Sequence, residues 1–267
     1  MKQKKETNQA ITPDITLKQE KKPLFYHINW RPFPLLVSAV VLITTLGILL
    51  QILNPAVFLA LRRDPTALSR GEWWRVITPL LVNDGSPIFH FALDTVGFLL
   101  VGTVTERLFG AVRWLLLFFA GAAAGTIVGY LWDPYGAGTS IALCGLIGGL
   151  VIWQIRTRDF HLFSSLYVFG LTLVLACEAI IAVWVSNTLV GILILAIICC
   201  VGGNLLWRLH KRQPATRLSA SFVGGSVLLC SLVLLAMRDI HGVALLTGLM
   251  SATLILWRPS KHPATVR

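Results

Sequence analysis

Long apolar runs alternate with short polar breaks along almost the whole chain. The runs fall at about 35–53, 88–106, 113–132, 140–155, 163–184, 188–207, 220–237 and 240–257. A helix rising ~1.5 Å per residue needs about 20 residues to cross a bilayer core of ~30 Å. Most of the runs approach that length, so the pattern predicts eight transmembrane helices in an all-α, polytopic membrane bundle. Residues 1–33 are polar, lack apolar periodicity and carry the clusters Lys2/Lys4/Lys5 and Lys18/Lys21/Lys22. They read as a disordered cytoplasmic tail. The membrane domain is expected over 34–258, with a short cytoplasmic tail at 259–267. The first run is too long for the core of a removable signal peptide, and no small-x-small site follows it. It reads as a signal anchor.

Composition agrees with this reading. Of 267 residues, 55% are hydrophobic and 13% charged, about half the usual quarter. A disordered chain needs the opposite balance. The five cysteines (Cys144, Cys177, Cys199, Cys200, Cys230) all lie in apolar runs, so they read as small apolar residues and not as a disulfide framework. The net charge of +11 would point to nucleic acid in a soluble chain. Placement changes that meaning. With the N-terminus inside and eight spans, 18 of the 23 Lys and Arg residues fall on the inner side and five on the outer. This is the positive-inside pattern, and seven or nine spans would break it. Both termini are then cytoplasmic, the bilayer is the partner, and no nucleic acid is expected. Trp30, Trp114, Trp132, Trp184, Trp207 and Trp257 sit at span ends, as interfacial aromatics do. The expected location is the cell membrane of a bacterium.

Polar residues inside membrane spans are costly and are candidates for function. His90 and Asp94 open the second run, Ser140 opens the fourth, Glu178 lies in the fifth and His241 opens the eighth. The second, fourth and eighth runs all start on the outer side, so His90, Ser140 and His241 are expected at one depth. Gly145 and Gly149 follow Ser140, and Ala244, Gly248 and Ser251 follow His241. Such small residues let helix backbones approach closely. A serine hydroxyl becomes a nucleophile when a base within hydrogen-bond reach takes its proton, and histidine suits that role near neutral pH. The first turn of a helix adds unpaired N–H groups for a developing oxyanion. The loop Asp133–Thr139 is rich in turn formers, and irregular backbone at such a depth needs cover from protein or water. Simpler roles exist for each residue. Ser140 fits a helix N-cap, and His241 fits an interfacial residue bonded to a loop carbonyl. His90 and Asp94 fit two ligands of a metal site, Glu178 an interhelical hydrogen bond or a proton relay, and Glu106 a structural partner.

Taken together and in order, the motifs resemble those of the rhomboid intramembrane serine proteases, from about Gly71 to the C-terminus. Gly71-Glu72-Trp73-Trp74-Arg75 resembles the family's first-loop signature. His90-x3-Asp94 resembles its His-x-x-x-Asn, and Glu106-x3-Gly110 the Glu-x-x-x-Gly that ends the second span. Gly138-Thr139-Ser140 resembles its nucleophile motif, and His241-x6-Gly248 the start of its last span. The resemblance implies a six-helix core, here with two extra transmembrane helices. It also implies a Ser140–His241 dyad without a third carboxylate, and an oxyanion held by Ser140 N–H, His90 and residue 94. Substrates would be transmembrane helices cut near the outer surface, with no metal and no cofactor. The chain departs from the family where glycine after the nucleophile is replaced by Ile141 and the second-span asparagine by Asp94. Cys144, Ala244 and Gly85 stand at three further altered positions. These departures motivate an alternative, a catalytically impaired rhomboid-like protein that binds transmembrane clients. A transporter using Asp94 and Glu178 ranks last, because no inverted repeat or broken-helix pair is evident.

Overall fold

The computed structural model describes residues 34–157, 162–184, 197, 200–205, 207, 208 and 217–256. Met1–Phe33 is a unit of its own and lies outside the described residues. So do the last residues, 257–267, and most of the expected run at 188–207. Among the described residues there are helices and turns and no strand.

Helix α1 spans Leu35–Leu53. Its own N-cap position is Pro34, which has no side-chain oxygen to offer. Glu106 fills the gap from another helix: its two carboxylate oxygens accept from Leu36 N and Val37 N at 3.0 Å each. The following loop folds into two short helices, α2 (Ala56–Leu61) and α3 (Pro65–Ser69), and two 3-10 turns, Trp73–Val76 and Thr78–Leu81. Asp64 caps α3 by accepting from Thr66 N and Ala67 N, and Pro65 occupies the first turn, where it has no hydrogen bond to lose.

Helix α4 (Pro87–Gly97) passes through a π turn, Phe98–Gly102, into α5 (Thr103–Trp132). The run bends at Gly110, where φ is 73° and ψ is 170°. A residue with a Cβ takes that φ rarely, so glycine lets one crossing end and the next begin almost without a loop. Then follow α6 (Ser140–Thr157), α7 (Leu162–Trp184), α8 (Arg217–Ala236) and α9 (Ile240–Ile255). These helices coincide with seven of the eight expected runs. The runs Leu35–Leu53, Pro87–Trp132 and Ser140–Thr157 are long and apolar enough to cross a membrane. Leu42, Ile43, Leu46, Leu49 and Leu50 of α1 face outward, which suits lipid and not water. The protein is a multi-pass membrane protein.

Helix α6, which begins at Ser140, lies at the centre of the bundle. Every residue from Ile141 to Val151 is buried, with α5 on one side and α9 on another. Lipid is as apolar as leucine, so close packing has to hold such helices together. Glycine provides it. A Cβ on Gly145 would collide with Leu117 O of α5, and one on Gly148 would collide with the backbone of Gly248 and Leu249 in α9. The Gly145-x3-Gly149 face therefore packs on α5, while Gly148 meets the histidine helix. On the far side, α7 docks on α4 and the π turn through Tyr167 Oη to Leu93 O (2.8 Å) and Ser164 Oγ to Leu100 O (2.9 Å). Gly102 O, at the end of the π turn, accepts from Trp114 Nε1 at 3.0 Å.

Candidate active site

Ser140 is the first residue of α6. Thr139 O accepts from Leu143 N (3.3 Å) and from Ala142 N (2.9 Å), so Thr139 takes the N-cap position. The Ser140 hydroxyl is thereby released from capping. It lies 2.8 Å from His241 Nε2. The backbone N–H of Ser140 belongs to the first turn, where no intrahelical carbonyl faces it. The loop ahead is anchored by Gly138 N donating to Pro79 O (2.9 Å). Gly138 has φ +155°, and a Cβ there would sit 3.4 Å from Ser140 Oγ. Glycine at 138 thus leaves the approach to the hydroxyl open.

His241 lies in the first turn of α9, at the same end of the bundle as Ser140. Its Nδ1 is 2.7 Å from Asp239 Oδ1, and its backbone N donates to the same oxygen at 2.8 Å. Burial pushes the Asp239 carboxyl up, but the hydrogen bonds and charge of His241 outweigh it and hold the group below the usual aspartate value.

Four candidate residues come together. Ser140, His241, His90 and Asp94 all line one pocket of about 120 Å³, with Asn83, Asp84 and Asp133 on its polar side and Leu171, Val174 and Leu175 of α7 on its apolar side. His90 Nδ1 is 3.1 Å from Asp84 O. A carbonyl only accepts, so Nδ1 carries a proton, and Nε2 of the neutral ring has none to give. Asp94 is buried, and its Oδ2 has no hydrogen-bond partner among the described residues. Ile141 borders the pocket but is only 1% exposed. A Cβ on Gly125 of α5 would lie 2.8 Å from Ile141 Cβ and Cγ2, so the branched side chain occupies the space that glycine at 125 vacates. Glu178 lies on α7, with its side chain outside the described residues.

The first loop builds the rim. Arg63, buried, donates through Nε to Asp133 O (3.0 Å) and pairs through Nη2 with Asp133 Oδ2 (2.5 Å). Its backbone N donates to Gly136 O. Arg75 binds Glu72 and the carbonyls of Leu59 and Arg62, and its own carbonyl accepts from Tyr130 Oη at 2.9 Å. Asn83 is tied to α1 by a reciprocal pair with Gln51, at 2.6 and 3.1 Å. Sequence reasoning missed Asn83, Asp84, Asp133 and Asp239. A signal existed for Asp239 alone: an acidic residue two before a histidine at a helix start.

The family model of the rhomboid domain matches residues 70–191. The rhomboid protease GluP of Bacillus subtilis (strain 168) is 35% identical over 101 residues, 38% of this chain and 20% of that protein. Rhomboid-like protease 3 of Toxoplasma gondii is 28% identical over 160 residues, 52% of this chain and 57% of that one. RHOMBOID-like protein 9, chloroplastic, of Arabidopsis thaliana is 32% identical over 91 residues, 33% of this chain and 20% of that one. The matched part of the chain thus spans between a fifth and somewhat over half the length of these relatives. No solved structure matches the chain.

Proposed function

Because this chain is a member of the rhomboid family, we propose that it is an intramembrane serine endopeptidase that cuts transmembrane helices near the outer membrane surface. The 2.8 Å contact between Ser140 Oγ and His241 Nε2 carries this reading. As Ser140 Oγ bonds to the scissile carbonyl carbon, its proton passes to His241 Nε2 and the carbonyl π electrons move onto oxygen. When the tetrahedral adduct collapses, the C–N bond breaks. The leaving nitrogen takes the proton from His241, and an acyl ester remains on Ser140. Water entering from the pocket then gives a proton to His241 and attacks the ester. Its collapse releases the carboxylic acid, and Ser140 Oγ regains the proton. In this reading the Ser140 N–H faces the oxyanion. His90 helps through Nε2 only as imidazolium, and Asp94 only when protonated, since an ionised carboxylate has no donor. The membrane is that of a bacterial cell with both termini inside, and the substrates are other transmembrane proteins.

Asp94 and Ile141 favour a second reading, a rhomboid-like binder of transmembrane clients without proteolysis. A fluorophosphonate probe separates the two. Labelling of wild type that is lost in Ser140→Ala supports the protease; an unlabelled, folded wild type supports the binder.

A further inference from the structure

Asp239 is fixed from two sides. Its backbone N donates to Leu234 O (2.8 Å) and Arg238 N donates to Leu235 O (3.1 Å). Arg238 sits between them at φ 58°. That pair of bonds around a left-handed residue is the Schellman closure of a helix C-terminus, here of α8. The Asp239 side chain then caps α9 through His241 N. Gly242 keeps the turn tight, because a Cβ there would lie 2.7 Å from Leu235 N and 2.8 Å from Ser231 O. One residue thus closes α8 and opens α9, which leaves its carboxylate little room to move.

The same Oδ1 is 2.7 Å from His241 Nδ1. A carboxylate accepts and does not donate, so the ring proton sits on Nδ1. The lone pair of Nε2 is then aimed at the Ser140 hydroxyl, 2.8 Å away. The opposite tautomer would present an N–H to Ser140 and accept no proton. We infer that Asp239 is a positioning residue that fixes the tautomer and orientation of His241, making a Ser140–His241–Asp239 triad where the family resemblance implies a dyad. The orienting carboxylate of a serine-protease triad has the same task. The inference rests on the protease reading for its consequence in rate, and on the described geometry for the tautomer.

A plain helix cap is the competing role for Asp239, and two substitutions separate the roles. Asparagine and serine cap a helix about as well as aspartate. Asp239→Asn also offers an amide N–H to Nδ1, which holds the wrong tautomer. Cleavage of a transmembrane substrate in liposomes is expected to lose at least ~100-fold in kcat in Asp239→Asn and Asp239→Ser, with KM and melting temperature unchanged. Nitrogen-15 NMR of histidine-labelled protein, in a Ser140→Ala background, is expected to place the proton on Nδ1 when Asp239 is present and on Nε2 in Asp239→Asn. Wild-type kcat and an unchanged tautomer in both variants overturn the inference. So does a loss of kcat that merely follows a lowered melting temperature. If the wild type is neither labelled by a fluorophosphonate nor active, the protease reading fails, and the nitrogen spectrum alone decides whether Asp239 orients His241.

Discussion

Gly148 of α6 and Gly248 of α9 meet backbone to backbone, and the helices that carry Ser140 and His241 are joined there. A Cβ on Gly248 would lie 2.8 Å from Gly145 O and 2.9 Å from Cys144 O. This contact lies about two helical turns below Ser140 and sets the helix spacing that lets a hydroxyl reach an imidazole. Gly148→Val is expected to force the helices apart, costing about 1–3 kcal/mol. Fluorophosphonate labelling of Ser140 should fall at least tenfold. Gly225 of α8 has no atom within 4 Å of its would-be Cβ, so Gly225→Ala should leave both stability and labelling near wild type. Equal labelling in Gly148→Val would show that the contact does not set the approach of Ser140 to His241.

The rim of the pocket holds a carboxyl in an unfavourable place. Burial raises the Asp84 carboxyl above its ordinary value, and the charge of Asp133 raises it further. A carboxyl raised in the folded state contributes stability in acid, and that contribution is lost as the pH rises through the folded value. Asp84→Asn should therefore raise the melting temperature at pH 7 and change it little at pH 3. A thermal melt series across that range checks the sign; an increase confined to pH 3 would contradict it.

Arg63 and Asp133 join the first loop to the loop before Ser140 across 70 positions. Arg63 is 1% exposed at its side chain and Asp133 48%, so the two substitutions are unequal. Asp133→Ala strands a buried guanidinium, whereas Arg63→Met leaves the remaining carboxylate to water. Asp133→Ala should lower stability by about 1–3 kcal/mol, with the smaller loss in Arg63→Met. Denaturation of both variants in the same detergent tests the order.

Asp94 stands where the family has asparagine. Asparagine carries N–H donors at every pH, while a carboxyl donates only when protonated. If residue 94 faces the oxyanion, Asp94→Asn should keep wild-type cleavage in mild acid and exceed it several-fold at alkaline pH. A pH–rate profile of the two proteins measures this, and parallel profiles would remove residue 94 from the oxyanion site.

Parity of the spans made much of this legible in the sequence. Counting runs placed Ser140 and His241 at the same end of the bundle, and the polar break near 107–112 anticipated the bend at Gly110. Which glycine faces which helix was not legible. Gly145, Gly148 and Gly149 lie within little more than one turn, and hydropathy does not distinguish a face packed on another helix from one packed on lipid. The consequence of Ile141 was hidden for a related reason, because the compensating gap is Gly125 on a different helix. Asp239 offers only the cue of an acidic residue two before His241, and its significance depends on a turn that brings a C-terminal closure and an N-cap onto one residue. The Arg63–Asp133 pair joins two loops whose proximity no local pattern announces.

Proteolysis within the membrane is the task proposed for Ser140. Its most direct test is the purified protein in liposomes with a transmembrane substrate bearing helix-breaking residues near the outer surface, its products read by mass spectrometry. A single cut close to that surface is expected from wild type, and no cut from Ser140→Ala or His241→Ala. Identical products from wild type and Ser140→Ala, or no product from a folded wild type across several substrates, would contradict it.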